Sequence, residues 1–517
     1  MNLSNNINCT SISELDIFIE ISNLSNKLTA GPDGVPNFLL KKCVCTLVLP
    51  LYLLFNKSLK FSIFPSKWKE SNIVPVFKSG SNNNVENYRS ICIQSAIPKI
   101  FDCLVTKQVT WQCKGLICQE QHGFSKNKST VSNLVSYQLD ILQNMEDRVQ
   151  TDSIYTDFSK AFDRADHKIL LNKLLLFGFH SDFVSWWRSS LSDRTQRVKV
   201  GCYYSDIISV TSGVPQGGHS SPLLFNIFVN DIVGCFLNSQ CSMFADDLKF
   251  WRRIVSLSDQ VLLQEDLNRL SGWCQLNKLY LNVKKCNYIS FSRKPDRIVT
   301  NYFINGQQLE YKYSIRDLGV IFDMKLSFTE HINSISVKGS KLLGFVIRNT
   351  KYFSTQATKM VYCSLVRSVL EYCSVVWSPF FQIHSDSLEA VQHKFLWVCA
   401  FRNNDRIVNH DYSNMEKHLN LVPLSIRRDL LGLLFLFKII NGSIDSPALL
   451  SRISLNVPYY HGLRYQSTFN IPFHRTAYGA NGPVNRYLSI LNIHNIDTFN
   501  VKLVTFKRNC KNVLYVP

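Results

Sequence analysis

Apolar residues along this chain recur at two different spacings, and the switches between them mark its elements. Ser153 to Thr156 has the pattern of a buried strand and leads to Asp157. The stretch that follows, SKAFDRADHKILLNKLLLFG, has helical spacing up to a stop at Gly178. About ninety residues on, CSMFADDLKFW reads as two short apolar strands joined at Asp246 and Asp247, a tight hairpin with both carboxylates at its tip. From His331 to Arg348, Ile332, Ile335, Leu342, Leu343 and Val346 share one arc of a helix, and Lys338, Lys341 and Arg348 fall on a neighbouring arc of about 80°. VYCSLVRSVLEYCSVVW also has helical spacing, which predicts Leu365, Val369 and Tyr372 as core. Residues 1–150 alternate helical stretches, short strands and polar loops such as SGSNNNVENY; 151–325 hold the strands around the aspartates; 326–400 read as mostly helical. From 401 onward the segments are irregular, with aromatic, His and Pro residues. The longest apolar runs, Val44 to Phe55 and Leu430 to Phe437, are too short for a bilayer, and Pro50 breaks the first. No repeat of fixed period and no long low-complexity tract is present.

Charge narrows the function class. With 57 Lys+Arg against 38 Asp+Glu, the net charge of +19 suits a polyanionic partner, although ribosome or membrane-surface association fits charge alone. Three carboxylates drawn together repel by about 4 kcal/mol per pair at a separation of about 4 Å and an effective dielectric of about 20. Asp157, Asp246 and Asp247 therefore call for a cation among them, and oxygen ligands favour Mg²⁺ over zinc. Taken singly, Asp-Asp is a common turn dipeptide and Asp157 a possible helix N-cap. The 517 residues, 45% apolar, permit several domains with real cores. Sixteen cysteines without paired spacing read as reduced thiols, and Cys113, Cys118 and His122 lack a fourth ligand for zinc. MNLSNNINCT is no charged-then-apolar leader, so no targeting signal is recognised and the reading is intracellular, cytoplasmic and nuclear both open.

The order of further motifs is far more specific. GPDGVPNFLLK spans 31–41, NIVPVFKSG and NYRSI fall within 72–91, QHGFSKNKST spans 121–130, and DFSKAFD begins at Asp157. GVPQGGHSSPLLFNIFVNDI follows at 213–232, then FADD, LNVKKC at 281–286 and DLGVIFD at 317–323. This series resembles the reverse transcriptase of non-LTR (LINE-type) retrotransposons, most like the jockey-like group, over about residues 25–400. The resemblance implies an α+β right-hand polymerase fold, with fingers and an N-terminal extension in 1–150, palm in 151–325, helical thumb in 326–400, and a mostly helical C-terminal extension of unknown role in 401–517.

It also implies roles. Asp157, Asp246 and Asp247, with the backbone carbonyl of Phe158, match the metal-binding catalytic set, which takes Mg²⁺ with Mn²⁺ as substitute. Phe162 matches the aromatic gate beneath the sugar, which leaves no room for a 2′-hydroxyl. Lys78 and Arg89 match the fingers residues that hold the triphosphate, Gln216 the nucleotide pocket, and Lys285 the palm lysine near the leaving pyrophosphate. The stripe Lys338, Lys341, Arg348 suits a thumb helix on a phosphate backbone. The implied partners are an RNA template, a DNA primer or target, and deoxynucleoside triphosphates, with an endonuclease supplied from elsewhere in a full element. Without that family pattern, Lys78 and Arg89 read as solvated surface, Gln216 as a turn residue and Phe162 as core.

Two departures weigh on competence. The group reads PQGSHLGP where this chain has PQGGHSSP, so Gly218, Ser220 and Ser221 stand for Ser, Leu and Gly; Ser90 stands for a proline. A catalytically silent, RNA-binding remnant and an RNA-directed RNA polymerase are the alternative readings, and Phe162 argues against the second.

Overall fold

The computed structural model describes residues 6–405, 407–456 and 467–515. Its first core gathers the N-terminal helices around an aromatic cluster. Phe55 stacks on Phe101 with centroids 4.4 Å apart, and Trp186 meets Phe101 edge-on at 5.3 Å. Phe55 lies on the helix Val44–Phe61, which runs 18 residues with Pro50 inside it. This corrects the sequence expectation: Pro50 does not break the run, and by length and composition the helix is long and apolar enough to cross a membrane. Here it turns Val48, Leu51, Phe55 and Leu59 into the first core.

Two sheets carry the site. In the first, β1 (Glu70–Phe77) pairs antiparallel with β2 (Tyr88–Ile93) and parallel with β4 (Arg194–Val200), which in turn pairs with β5 (Tyr203–Tyr204) and β6 (Ile208–Val210). The central sheet runs β12 (Glu310–Tyr311), β9 (Asn287–Phe291), β3 (Gln150–Thr156), β8 (Asp247–Ile254), β7 (Gln240–Phe244). β3 is central and buried along nearly its whole length, so its polar residues need partners. Asp152 accepts from Tyr302 Oη at 2.7 Å and from Gln150 Nε2 at 2.8 Å. After β9 come two small hairpins, β10 (Phe303–Ile304) with β11 (Gln307–Gln308) and β13 (Ser314–Asp317) with β14 (Val320–Asp323). The β13–β14 turn, Leu318-Gly319, has both residues at positive φ, 43° and 92°, the hairpin turn that matches strand twist.

The central sheet separates two cores. Ile154, Leu248, Phe250 and Tyr288 belong to the first, whereas Trp251, Ile289 and Phe291 belong to a second. That second core joins the helix Thr130–Glu146 to Thr329–Asn349, Gln382–Arg402, Leu424–Ile440, Asn485–Ile493 and Leu503–Leu514. The thumb-range helices and the region past residue 401 thus share one interior. The architecture is the mixed helix-and-sheet right-hand polymerase fold with a helical C-terminal part.

Local departures have physical causes. The helix predicted after Asp157 is two, Ala161–Arg164 and His167–Leu176, because Asp166 stops the first and caps the second, accepting from the Ile169 N–H at 3.1 Å. The helix around 361–377 contains a π turn at Cys363–Arg367, and Cys373 at φ 52° breaks it again. The wider turn shifts the phase of everything beyond it. Leu365, inside the π turn, and Tyr372, next to the break, are exposed although predicted as core, and Val366 and Leu370 are buried instead.

Candidate active site

The two-residue turn between β7 and β8 consists of Ala245 and Asp246, with Phe244 opposite Asp247. Asp157 follows the last residue of β3, the strand beside β8. The structure thus brings the three aspartates onto neighbouring strand ends, and their charges act on one another. Asp247 is pushed up to about 6, first by burial and then by the charges of Asp246, Asp317 and Asp157. Burial also raises Asp246, as does Asp157, while Lys78 and Arg89 pull it down.

The cations around this cluster bear on different carboxylates. Lys78 follows the last residue of β1 and Arg89 lies across the β1–β2 hairpin, opposite Val76; both are exposed and both bear on Asp246. Lys285 Nζ stands 3.2 Å from Asp157 Oδ2. Asp157, Asp247, Lys285, Asn287 and Arg316 line a cavity of about 230 Å³ between β8, β9 and β13. Phe158 pairs with Leu281 as an isolated bridge whose hydrogen bonds are made by the flanking residues, so its own carbonyl lies outside that pairing.

Phe162 is half-buried between two rings, stacked on Phe225 with centroids 4.4 Å apart and edge-on to Phe124 at 6.3 Å. Gln216 Nε2 donates to Asp163 Oδ1 at 2.9 Å, and its carbonyl accepts from the Cys92 N–H of β2 at 2.8 Å, which ties the PQG loop to the first sheet. Lys338, Lys341 and Arg348 are exposed on Thr329–Asn349, whose opposite side buries Ile332, Ile335, Leu343 and Val346.

The exchange in PQGGHSSP is compensated within the loop. A Cβ at Gly218 would lie 2.9 Å from Ser221 Oγ, the hydroxyl of the residue where the resembling group has glycine. That hydroxyl donates to the Pro215 carbonyl at 2.7 Å. Asp102 accepts from the His219 and Ser220 N–H groups at 2.7 and 3.1 Å and holds the loop to the first core.

Sequence reasoning missed a buried ion pair whose lysine lies two strand residues past Asp247. Lys249 of β8 and Asp317 of β13 are hydrogen-bonded with side chains 4% and 7% exposed, and Lys249 Nζ lies 4.5 Å from the Tyr137 ring centre. Burial lowers the Lys249 pKa and Asp317 opposes that shift. Neither residue stands out in FADDLKFW or DLGVIFD, because the pairing depends on the approach of two segments 68 residues apart.

As for metals, among the described residues no three Cys, His, Asp or Glu side chains form a ready cage. The fit of the aspartates to a divalent ion rests on their donor chemistry, an all-oxygen set in which burial first, and then the charge of neighbouring carboxylates, raises Asp246 and Asp247. Cys113 and Cys118 are free thiols, and His122 Nδ1 is taken by Ser132 Oγ at 3.0 Å.

Comparison with known proteins gives the same picture. A family model described as reverse transcriptase (RNA-dependent DNA polymerase) matches residues 77–347. The probable RNA-directed DNA polymerase from transposon BS of Drosophila melanogaster is 25% identical over 394 residues, which cover 73% of this chain and 43% of that protein. The RNA-directed DNA polymerase from mobile element jockey of the same fly is 26% identical over 455 residues, covering 80% and 48%. The chain therefore spans less than half the length of these curated relatives. A solved structure of apo telomerase from Candida tropicalis aligns with a TM-score of 0.36 and 13% identity over 53% of this chain and 58% of that one, too loosely to add to the argument.

Proposed function

The chain belongs to the reverse transcriptase (RNA-dependent DNA polymerase) family, and from that premise we propose that it adds deoxynucleotides to a primer 3′-hydroxyl under the direction of an RNA template. The observation that carries this reading is the cluster of Asp157, Asp246 and Asp247 with Lys78 and Arg89 bearing on Asp246 and Lys285 on Asp157. Phosphoryl transfer depends mainly on positioning and on neutralising phosphate charge. Lys78 and Arg89, exposed beside Asp246, supply cations where a triphosphate would lie. Lys285, held at Asp157, is placed to neutralise charge or give a proton there. Phe162, stiffened by Phe124 and Phe225, presents a ring that would crowd a 2′-hydroxyl.

Asp157, Asp246 and Asp247, with the Phe158 carbonyl, would hold Mg²⁺ or Mn²⁺ ions, which supply Lewis-acid stabilisation of attacking and leaving oxygens in a two-metal mechanism. In this reading 1–150, 151–325 and 326–400 serve as fingers, palm and thumb, and the protein works inside the cell. The compensated exchange of Gly218 and Ser221 favours a working site over a silent remnant.

Primer extension on an RNA template tests the proposal, with deoxynucleotides and ribonucleotides compared side by side. Extension should require Mg²⁺ or Mn²⁺ and vanish in Asp157→Ala and Asp246→Ala while nucleic-acid binding persists. Alanine variants that extend like the parent would remove the aspartates from the reaction, and equal use of ribonucleotides would replace the DNA polymerase by an RNA polymerase.

A further inference from the structure

QHGF at 121–124 is a motif that the site above leaves without a task. Its first residue lies against the catalytic turn. Gln121 is 1% exposed. Its Oε1 accepts from the N–H of Ala245 at 2.9 Å and from that of Gly123 at 2.8 Å, while its Nε2 donates to the Ala245 carbonyl at 3.2 Å. Both backbone polar groups of one turn residue are thus held by one side chain.

That residue is under conformational tension. Ala245 has φ 58°, the left-handed region that L side chains avoid. Asp246 does not share the positive φ; of the two tight hairpin turns that match strand twist, the one with positive φ at its first position alone is built on glycine there, and this chain has alanine. The hairpin therefore needs outside support to keep this shape.

The support is itself anchored. The segment 120–122 runs beside β7, with the Met243 N–H donating to Glu120 O at 2.8 Å and the His122 N–H donating to Met243 O at 2.9 Å. Asn133 Nδ2 donates to Met243 O at 3.1 Å and to Ser242 Oγ at 2.7 Å, and Asn226 Nδ2 donates to Gly123 O at 2.9 Å. Gly123 is close enough that a Cβ there would stand 2.2 Å from the Ala245 nitrogen. Turn and brace are packed without slack.

We infer that Gln121 is a positioning residue of the catalytic turn: its amide holds Ala245 in the left-handed conformation that sends Asp246 toward Lys78 and Arg89 and Asp247 toward Asp157 and Lys285. The inference rests on the reading of those aspartates as the reacting centre, and Gln121 itself touches neither nucleotide nor template. Two neighbouring carboxylates serve two sides of one site only while the turn keeps this shape. A turn that relaxes swings both.

The full chain supports a test with two independent readouts. Gln121→Met keeps roughly the volume and removes all three hydrogen bonds. Amide hydrogen exchange should accelerate at least tenfold in peptides covering 243–247 while the Ala96–Gln112 and Leu424–Ile440 helices keep their protection. In primer extension kcat should fall at least tenfold with KM for deoxynucleotide and affinity for primer–template within about twofold of the parent. Gln121→Met/Ala245→Gly should recover at least threefold of kcat, because glycine enters the left-handed region freely. Unchanged exchange at 243–247 overturns the inference, whether or not the parent extends primers. A loss of kcat that follows a general fall in thermal midpoint, with no recovery by Ala245→Gly, assigns Gln121 to bulk stability and overturns it too. If the parent fails to extend at all, the proposed function falls, and the exchange result still decides whether Gln121 holds the turn.

Discussion

Restoring the group's serine at position 218 should damage this protein, and restoring the group's glycine at 221 as well should repair it. A Cβ at 218 would lie 2.9 Å from Ser221 Oγ and 3.4 Å from Asp102 Oδ2. Ser221 has little room to yield: it is 2% exposed, opens the helix Ser221–Phe228, and its hydroxyl is committed to the Pro215 carbonyl. Relief needs a backbone shift or a broken hydrogen bond, so Gly218→Ser should cost about 1–3 kcal/mol. Ser221→Gly alone loses a hydroxyl bond worth about 1 kcal/mol and adds a flexible residue to the first helical turn at roughly 0.5–1 kcal/mol. Independent sites would put the double variant at roughly 2.5–5 kcal/mol below the parent, whereas exchange of the two residues through one space predicts less than about 1 kcal/mol. Urea unfolding of the four proteins, followed by tryptophan fluorescence, measures the cycle, and primer extension by each tells whether the loop's shape follows its stability. A double variant that loses the full sum of the single losses would refute the claim that the departure is compensated.

Lys249→Met leaves Asp317 buried and unpaired, and should destabilise by about 3–5 kcal/mol, whereas Lys249→Met/Asp317→Leu should return to within about 1 kcal/mol of the parent; the shift in urea midpoint reads both. Asp247 has its pKa raised to about 6, above an unfolded carboxylate, so its ionisation works against the fold at neutral pH, and the penalty fades as pH falls from that value to the unfolded carboxylate's own, about 4. Asp247→Asn should therefore raise the thermal midpoint at pH 7 to 8 in EDTA, and the gain should shrink below about pH 6 and disappear below about pH 4; a gain that persists there would show that the cause is not charge. Alanine at Lys338, Lys341 or Arg348 should each lower the slope of log affinity for nucleic acid against log salt by about 0.7–0.9, and three unchanged slopes would remove that helix from the binding surface.

The strands, the FADD hairpin and the basic outer face of Thr329–Asn349 were readable because each follows from spacing within one short segment. Pairings across the chain were not. Gln121 acts on Ala245 through a contact 124 residues long in sequence, and Lys249 finds Asp317 only once β8 and β13 meet. Nor does periodicity announce its own interruptions: the π turn at Cys363–Arg367 and the break at Cys373 fall within a stretch of helical spacing whose buried side runs through Tyr362, Val366 and Leu370, not Leu365 and Tyr372. Pro50 failed as a breaker because the helix around it buries Val48, Leu51 and Phe55, and tertiary packing outweighs one missing hydrogen bond.

The second core also sets an order of events for a chain leaving the ribosome. Leu134, Tyr137 and Ile141 are made early, yet they share one core with Leu433, Leu436, Val484, Leu488 and Phe506, which arrive some three hundred residues later. Until then that core lacks its last helices, and apolar surface made earlier stays open to water or to other chains. Contacts of such long sequence separation slow folding and prolong the exposure of apolar surface. A message that ends near residue 400 would carry every motif quoted above and still release a protein whose second core is unfinished and prone to aggregate.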